Sequence, residues 1–94
     1  MRIGEFQKRI EAIYLERDRK RGLAGTHMWF CEEVGELTRA LRRNRREELE
    51  GEFADVLAWL VSMASIAGVD VEAAAARKYA QGCPRCHGTP CRCG

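Results

Sequence analysis

No apolar run in this sequence reaches the roughly 18 residues that a membrane-spanning helix requires. The closest candidate, Phe53 to Gly68, is shorter and carries Asp55. The opening residues, MRIGEFQKRIEAI, alternate charged with apolar positions and lack the continuous apolar centre of a secretory signal. These two absences argue against a membrane partner and predict a cytoplasmic protein. No strand-like alternation and no internal repeat is present. Neither sign of charge dominates, since the formal net charge is only +2, so the total calls for no nucleic acid and none is expected as a partner. Histidine is scarce as well: His27 and His87 are the only two, and neither sits in a Glu-x-x-His motif. A di-iron carboxylate bundle needs that motif on two helices and is set aside.

What is present is helical patterning from one end nearly to the other. Ile3, Phe6, Ile10, Ile13 and Tyr14 recur at three- and four-residue steps and predict a first helix that stops near Gly22. RGLAGT then reads as a loop, with Thr26 as N-cap of a second helix whose stripe is Phe30, Val34, Leu37 and Leu41. Asn44 and Glu47 have the spacing of a capping box, predicting a third helix that runs to Gly68. Asp70 caps a fourth, alanine-rich helix that ends at about Gln81, before Gly82. The third helix is apolar on every side, which predicts burial on every side. A chain of 94 residues buries only about 60% of its unfolded surface and cannot enclose such a helix alone. The expectation is therefore an all-α, four-helix bundle over residues 1–82, completed by homo-oligomerisation through helices two and three, with a Cys-rich tail over 83–94.

The chemistry lies in two acidic runs. Glu33 and Glu36 are three residues apart, as are Glu52 and Asp55, so each pair projects from one face of its helix. Trp59 and Ser62 continue the face of Glu52 and Asp55, which turns those acids toward packed surface and away from bulk water. Burying an unpaired carboxylate costs several kcal/mol, and gathering like charges adds repulsion. A hard divalent cation, Mg²⁺ or Mn²⁺, matches an all-oxygen ligand set of this kind. The competing reading makes Glu32, Glu33 and Glu36 surface acids that pair with Arg39, Arg42 or Arg43. Two basic clusters, Arg17 to Arg21 and Arg39 to Arg46, are either solvated helix surface or a positive rim for a polyanion such as a nucleoside triphosphate.

Glu32-Glu33-Val34-Gly35-Glu36, followed after a spacer by Glu52-Phe53-Ala54-Asp55, resembles the EExxE…ExxD signature of the MazG-like, all-α nucleoside triphosphate pyrophosphohydrolases. The likeness covers roughly residues 24 to 80 and includes His27 and Trp29 ahead of the first motif and ADVLAWL around the second. It implies a helical dimer or tetramer that hydrolyses nucleoside triphosphates to the monophosphate and pyrophosphate with Mg²⁺. By the same resemblance, Glu33, Glu36, Glu52 and Asp55 would hold the metal, and Glu32 would bind a further ion or orient the attacking water. His27, Trp29 and Trp59 are candidates for contacts with the nucleotide, and Lys78 for the phosphates. Trp29 equally fits a core or interface position, and Lys78 an exposed lysine.

Cys83, Cys86, Cys91 and Cys93 form C-x2-C-x4-C-x-C in the tail, with His87 between them. Four thiolates suffice for a closed Zn²⁺ site, and the segment has no apolar residues from which to build a core. A disordered reduced tail and disulfides are the alternatives. Cys31 stands apart on helix two and reads as a core residue. Against the enzyme reading stands a non-catalytic binding module, in which the basic clusters and a zinc tail engage nucleic acid or a protein.

Overall fold

The first proline is Pro84, and upstream of it nothing forbids a helix. In the computed structural model, which describes residues 1–94, three helices account for that stretch: α1 (Ile3–Arg43), α2 (Arg46–Ile66) and α3 (Val71–Tyr79). The 41 residues of α1 would extend about 61 Å if straight. The whole molecule is only 42 Å long. The difference is absorbed at Gly22, whose φ of 83° and ψ of 167° are a conformation essentially restricted to glycine. The expected first and second helices are thus one kinked helix, and the expected RGLAGT loop is a break at a single residue. Thr26, expected to cap a helix, lies inside α1, fully buried and with its hydroxyl unpartnered.

Both arms of α1 run antiparallel to α2. Along the first arm, Gln7 donates from Nε2 to Ser65 Oγ at 3.0 Å, and Ser65 Oγ donates to Glu11 Oε2 at 2.6 Å. Along the second arm, Trp29 stacks on Trp59, and Arg43 Nη1 meets Glu48 Oε1 at 3.2 Å beside the interhelical link. That link is only Asn44 and Arg45. Asn44 adopts the left-handed conformation (φ 53°) and closes α1 through its N–H to the Ala40 carbonyl, while Arg45 takes the N-cap position of α2. The expected Asn44–Glu47 capping box does not form. Asp70 does cap the last helix, accepting from Ala73 N–H at 3.0 Å. That helix turns away from α2 at 96° and docks on the start of α1, where Gly4 N–H donates to Glu72 Oε1 at 2.9 Å and Val71 N–H to Gln7 Oε1 at 3.0 Å.

The buried apolar side chains of this arrangement are few: Ile10, Ala40, Leu49 and Val61. Phe53 and Leu60 on α2, and Val34 and Leu41 on α1, are exposed, so a single chain does not enclose α2 on all sides. Cys31 is exposed as well, not in the core. The accessible surface is 7184 Å², against about 5,500 Å² for a folded monomer of this mass. The radius of gyration, 15.5 Å, likewise exceeds the roughly 12 Å of a compact chain this long. No single helix is long and apolar enough to cross a membrane.

Candidate active site

Three carboxylates meet where the second arm of α1 crosses the first half of α2. Glu33 comes from α1, and Glu52 and Asp55 from α2, one helical turn apart. An oxygen from each lies within 4.8 Å of the others. Glu33 Oε2 and Glu52 Oε2 are both buried, and neither has a hydrogen-bond donor. Burial is the first cause of a raised Glu33 pKa, followed by the negative charge of Glu52 and Asp55. Two things relieve such a cluster: a proton held between the carboxylates, or a cation. Three converging oxygen donors, two of them without a partner, fit a hard divalent ion.

Beside this cluster is a cavity of about 260 Å³ that shares Asp55 with it. Its α2 wall continues through Ala58, Trp59 and Ser62, and its opposite wall is the first arm of α1, contributing Tyr14, Arg17, Asp18 and Arg21. Asp18 is buried and accepts from Arg21 Nη1 at 2.9 Å. The Arg21 guanidinium also lies over the Trp59 ring, 5.1 Å from its centroid. Gly25 makes room for this side chain, since a Cβ at that position would stand 2.8 Å from Arg21 Cγ. The kink at Gly22 thus brings a cationic wall alongside an anionic cluster. From the sequence, Arg17 and Arg21 were legible only as part of a basic run, and Asp18 was not singled out. The one signal available was the three-residue Asp18–Arg21 spacing just before a glycine.

The other expected site residues are distributed unevenly. Glu36 is outside the cluster, and both its oxygens are 3.3 Å from Arg39 Nη1, the surface pairing that the sequence also allowed. Glu32 is exposed and in no ion pair. Trp29 and Trp59 are brought together, with centroids 6.0 Å apart. His27 is exposed one turn before Cys31, its Nε2 3.6 Å from the Cys31 sulfur, and its ring stacks on Phe30 at 6.4 Å. Lys78 is exposed on α3 with its Nζ 5.8 Å from the centroid of the Tyr79 ring, and it is in no ion pair with the carboxylates. In the tail, N–H groups of Arg92 and Gly88 point at Cys86 Sγ and hold that thiol down to about 6.

A family model for the MazG nucleotide pyrophosphohydrolase domain matches residues 22–87. The chain belongs to that family. The MazG match begins at the Gly22 kink and contains Glu33, Glu52 and Asp55, together with both tryptophans. Nucleotide pyrophosphohydrolase activity is what the MazG domain carries in general, and divalent metals generally serve it. The cavity wall made by Tyr14, Arg17, Asp18 and Arg21 lies outside the matched MazG residues, as do Cys91 and Cys93. No curated protein matches the chain significantly.

Proposed function

We propose that this chain hydrolyses ribo- or deoxyribonucleoside triphosphates to the monophosphate and pyrophosphate, with Mg²⁺ or Mn²⁺ held by Glu33, Glu52 and Asp55. The observation that carries the reading is the pair of buried, donorless oxygens on Glu33 and Glu52, facing Asp55 in a MazG domain. A bound divalent ion would neutralise triphosphate charge and make a water more nucleophilic. Water oxygen forms a bond to the α-phosphorus, the bond from that phosphorus to the α–β bridging oxygen breaks, pyrophosphate leaves, and the water's proton passes to a carboxylate or to solvent. Glu36 is the fourth acid of the set, reaching the ion by leaving Arg39. Glu32, on the exposed flank, orients the attacking water.

The phosphates have a second source of attraction in Arg17 and Arg21, which are permanently charged donors suited to phosphoryl oxygens. Trp59, backed by Trp29, would offer its ring to the base or sugar as Arg21 turns from that ring to the phosphates. His27 and Lys78 are assigned to the nucleotide's outer edge and to its phosphates, each by movement from the exposed position described above. Clearance of unwanted nucleotides from the cytoplasmic pool is the role this activity suits.

The active form is a homodimer or homotetramer. The exposed surface exceeds that of a compact monomer of this mass by about 1,700 Å². That excess is ample for one subunit's share of a standard interface, about 800 Å². The side chains that a second copy would cover are apolar: Val34 and Leu41 on α1, Phe53 and Leu60 on α2.

The deciding experiment measures pyrophosphate release from a panel of ribo- and deoxyribonucleoside triphosphates with Mg²⁺ or Mn²⁺, beside Asp55→Asn. Release that needs the metal and is lost in the variant is the expected outcome. A folded, oligomeric protein that cleaves no nucleotide would overturn the reading.

A further inference from the structure

Residues 83–94 make no hydrogen bond to the helices, and Gly88 is their sole buried residue. With no apolar side chain except the rings of Pro84 and Pro90, the segment has nothing to pack around. Yet its fold converges on one point. Cys83 Sγ lies 3.7 Å from Cys93 Sγ and 3.5 Å from Cys91 Sγ, and Cys86 Sγ lies 3.9 Å from Cys91 Sγ. All four sulfurs are within 4.8 Å of one another. Zn–S bonds of about 2.3 Å in a regular tetrahedron put the sulfurs about 3.8 Å apart. The S···S separations therefore have the size of a tetrathiolate zinc site and are far longer than the roughly 2.05 Å of a disulfide.

The backbone is arranged for the same end. Cys83 starts a tight turn in which His87 N–H donates to its carbonyl at 2.7 Å and its own N–H donates to Gly88 O at 3.0 Å. Three further N–H groups point at sulfur: Gly88 and Arg92 at Cys86 Sγ, at 3.4 and 3.2 Å, and Cys93 at Cys91 Sγ, at 3.3 Å. Donors placed on a ligating sulfur stabilise it as the thiolate that a metal needs. The two glycines at the turn have no room to be anything else. A Cβ on Gly82, where φ is +97°, would stand 2.9 Å from the His87 and Gly88 carbonyl oxygens, and one on Gly88 would stand 2.7 Å from Pro90 O and 3.3 Å from Cys86 Sγ.

We propose that Cys83, Cys86, Cys91 and Cys93 bind one Zn²⁺ per chain as a closed, four-thiolate structural site, and that this ion is what orders residues 83–94. Its soft sulfur donors separate it in kind from the oxygen cluster on α1 and α2. All four tetrahedral positions are taken by protein, so the ion holds no open position for chemistry. Cys83 and Cys86 lie within the MazG match and Cys91 and Cys93 beyond it, so the matched residues alone do not complete the site.

The full-length protein, purified without added chelator, is analysed for zinc, then reloaded with Co²⁺ and read by visible absorption. One zinc per chain and the intense charge-transfer and d–d bands of tetrahedral cobalt thiolate are expected. A Cys86→Ser/Cys91→Ser protein, checked for unchanged helical circular dichroism, should lose both. Glu33→Gln and Asp55→Asn should keep them, which separates failure of this site from failure of the proposed hydrolase. Trypsin supplies an independent readout at Arg85 and Arg92, where cleavage should be slow with zinc and at least tenfold faster after a strong chelator is added. Substoichiometric zinc in the reduced protein, loss of the four thiols to disulfides, or tryptic cleavage indifferent to chelator would each overturn the proposal.

Discussion

Trp29 of α1 and Trp59 of α2 stack with ring centroids 6.0 Å apart and planes within 12° of parallel. An aromatic pair of this geometry contributes about 0.5–1.5 kcal/mol beyond the area it buries. A double-mutant cycle with Trp29→Leu and Trp59→Leu in denaturant unfolding should return a coupling energy in that range. In kinetics, Trp59→Leu should raise KM about tenfold with a smaller effect on kcat, as loss of a stacking surface does. Trp29→Leu, one ring further from the cavity, should move KM less.

Glu36 and Arg39 hold each other outside the carboxylate cluster. Exposed pairs of this kind contribute little to stability, so Arg39→Ala should leave the unfolding midpoint nearly unchanged. If Glu36 serves the metal, freeing it should strengthen Mn²⁺ binding several-fold in calorimetric titration, and Arg39→Ala/Glu36→Gln should cancel the gain. Unaltered Mn²⁺ affinity in Arg39→Ala would assign Glu36 to the surface.

The raised Glu33 pKa fixes the direction of a pH effect. A carboxyl group whose folded-state pKa lies above its unfolded value favours folding while protonated, below the unfolded value. That contribution is lost as pH rises through the folded value. The metal-free protein should therefore lose thermal stability as pH is raised through the Glu33 transition. A Mg²⁺ ion bound as proposed would replace the proton, so the midpoint gain on adding it should be larger at pH 8 than at pH 5. Glu33→Gln should flatten the metal-free profile. Scanning fluorimetry across pH, with Mg²⁺ and with chelator, measures all three.

Gly22→Ala asks an L-residue to occupy a conformation that costs of order 1–3 kcal/mol. The variant should either be destabilised by about that amount or relieve the strain by straightening α1. Small-angle scattering distinguishes the two, since straightening would raise the radius of gyration above 15.5 Å. Straightening would also separate Arg21 from Asp55 and raise KM. An alanine variant as stable, as compact and as active as the parent would refute the importance of the kink.

The carboxylate cluster was readable because helical periodicity alone brings Glu52 and Asp55 to one face and Glu33 to a face of the neighbouring helix. The four cysteines were readable from their spacing. The helix count was not. A glycine between two helical patterns reads the same whether it opens a loop or bends the chain at one residue, and only tertiary packing decides. Asn44 shows a similar ambiguity, because asparagine both caps helix starts and tolerates the left-handed conformation that ends them. Here the second role wins, and the cap of α2 shifts to Arg45. Arg17 and Arg21 were readable only as a basic run, solvated surface or positive rim, because their proximity to Asp55 depends on the bend at Gly22, which no local pattern encodes.

The two-residue link between α1 and α2 acts as a ruler for the carboxylates. Glu33 stands about three turns before it and Asp55 about three turns after it. A residue added to or removed from the first, largely exposed turn of α2, at Arg46 to Glu48, would turn Glu52 and Asp55 by about 100° relative to the link and carry them off the face that meets Glu33. A stretch of solvent-exposed, charged sequence, ordinarily among the most forgiving of length variation, is therefore one where a single-codon insertion should be as damaging as the loss of an acid.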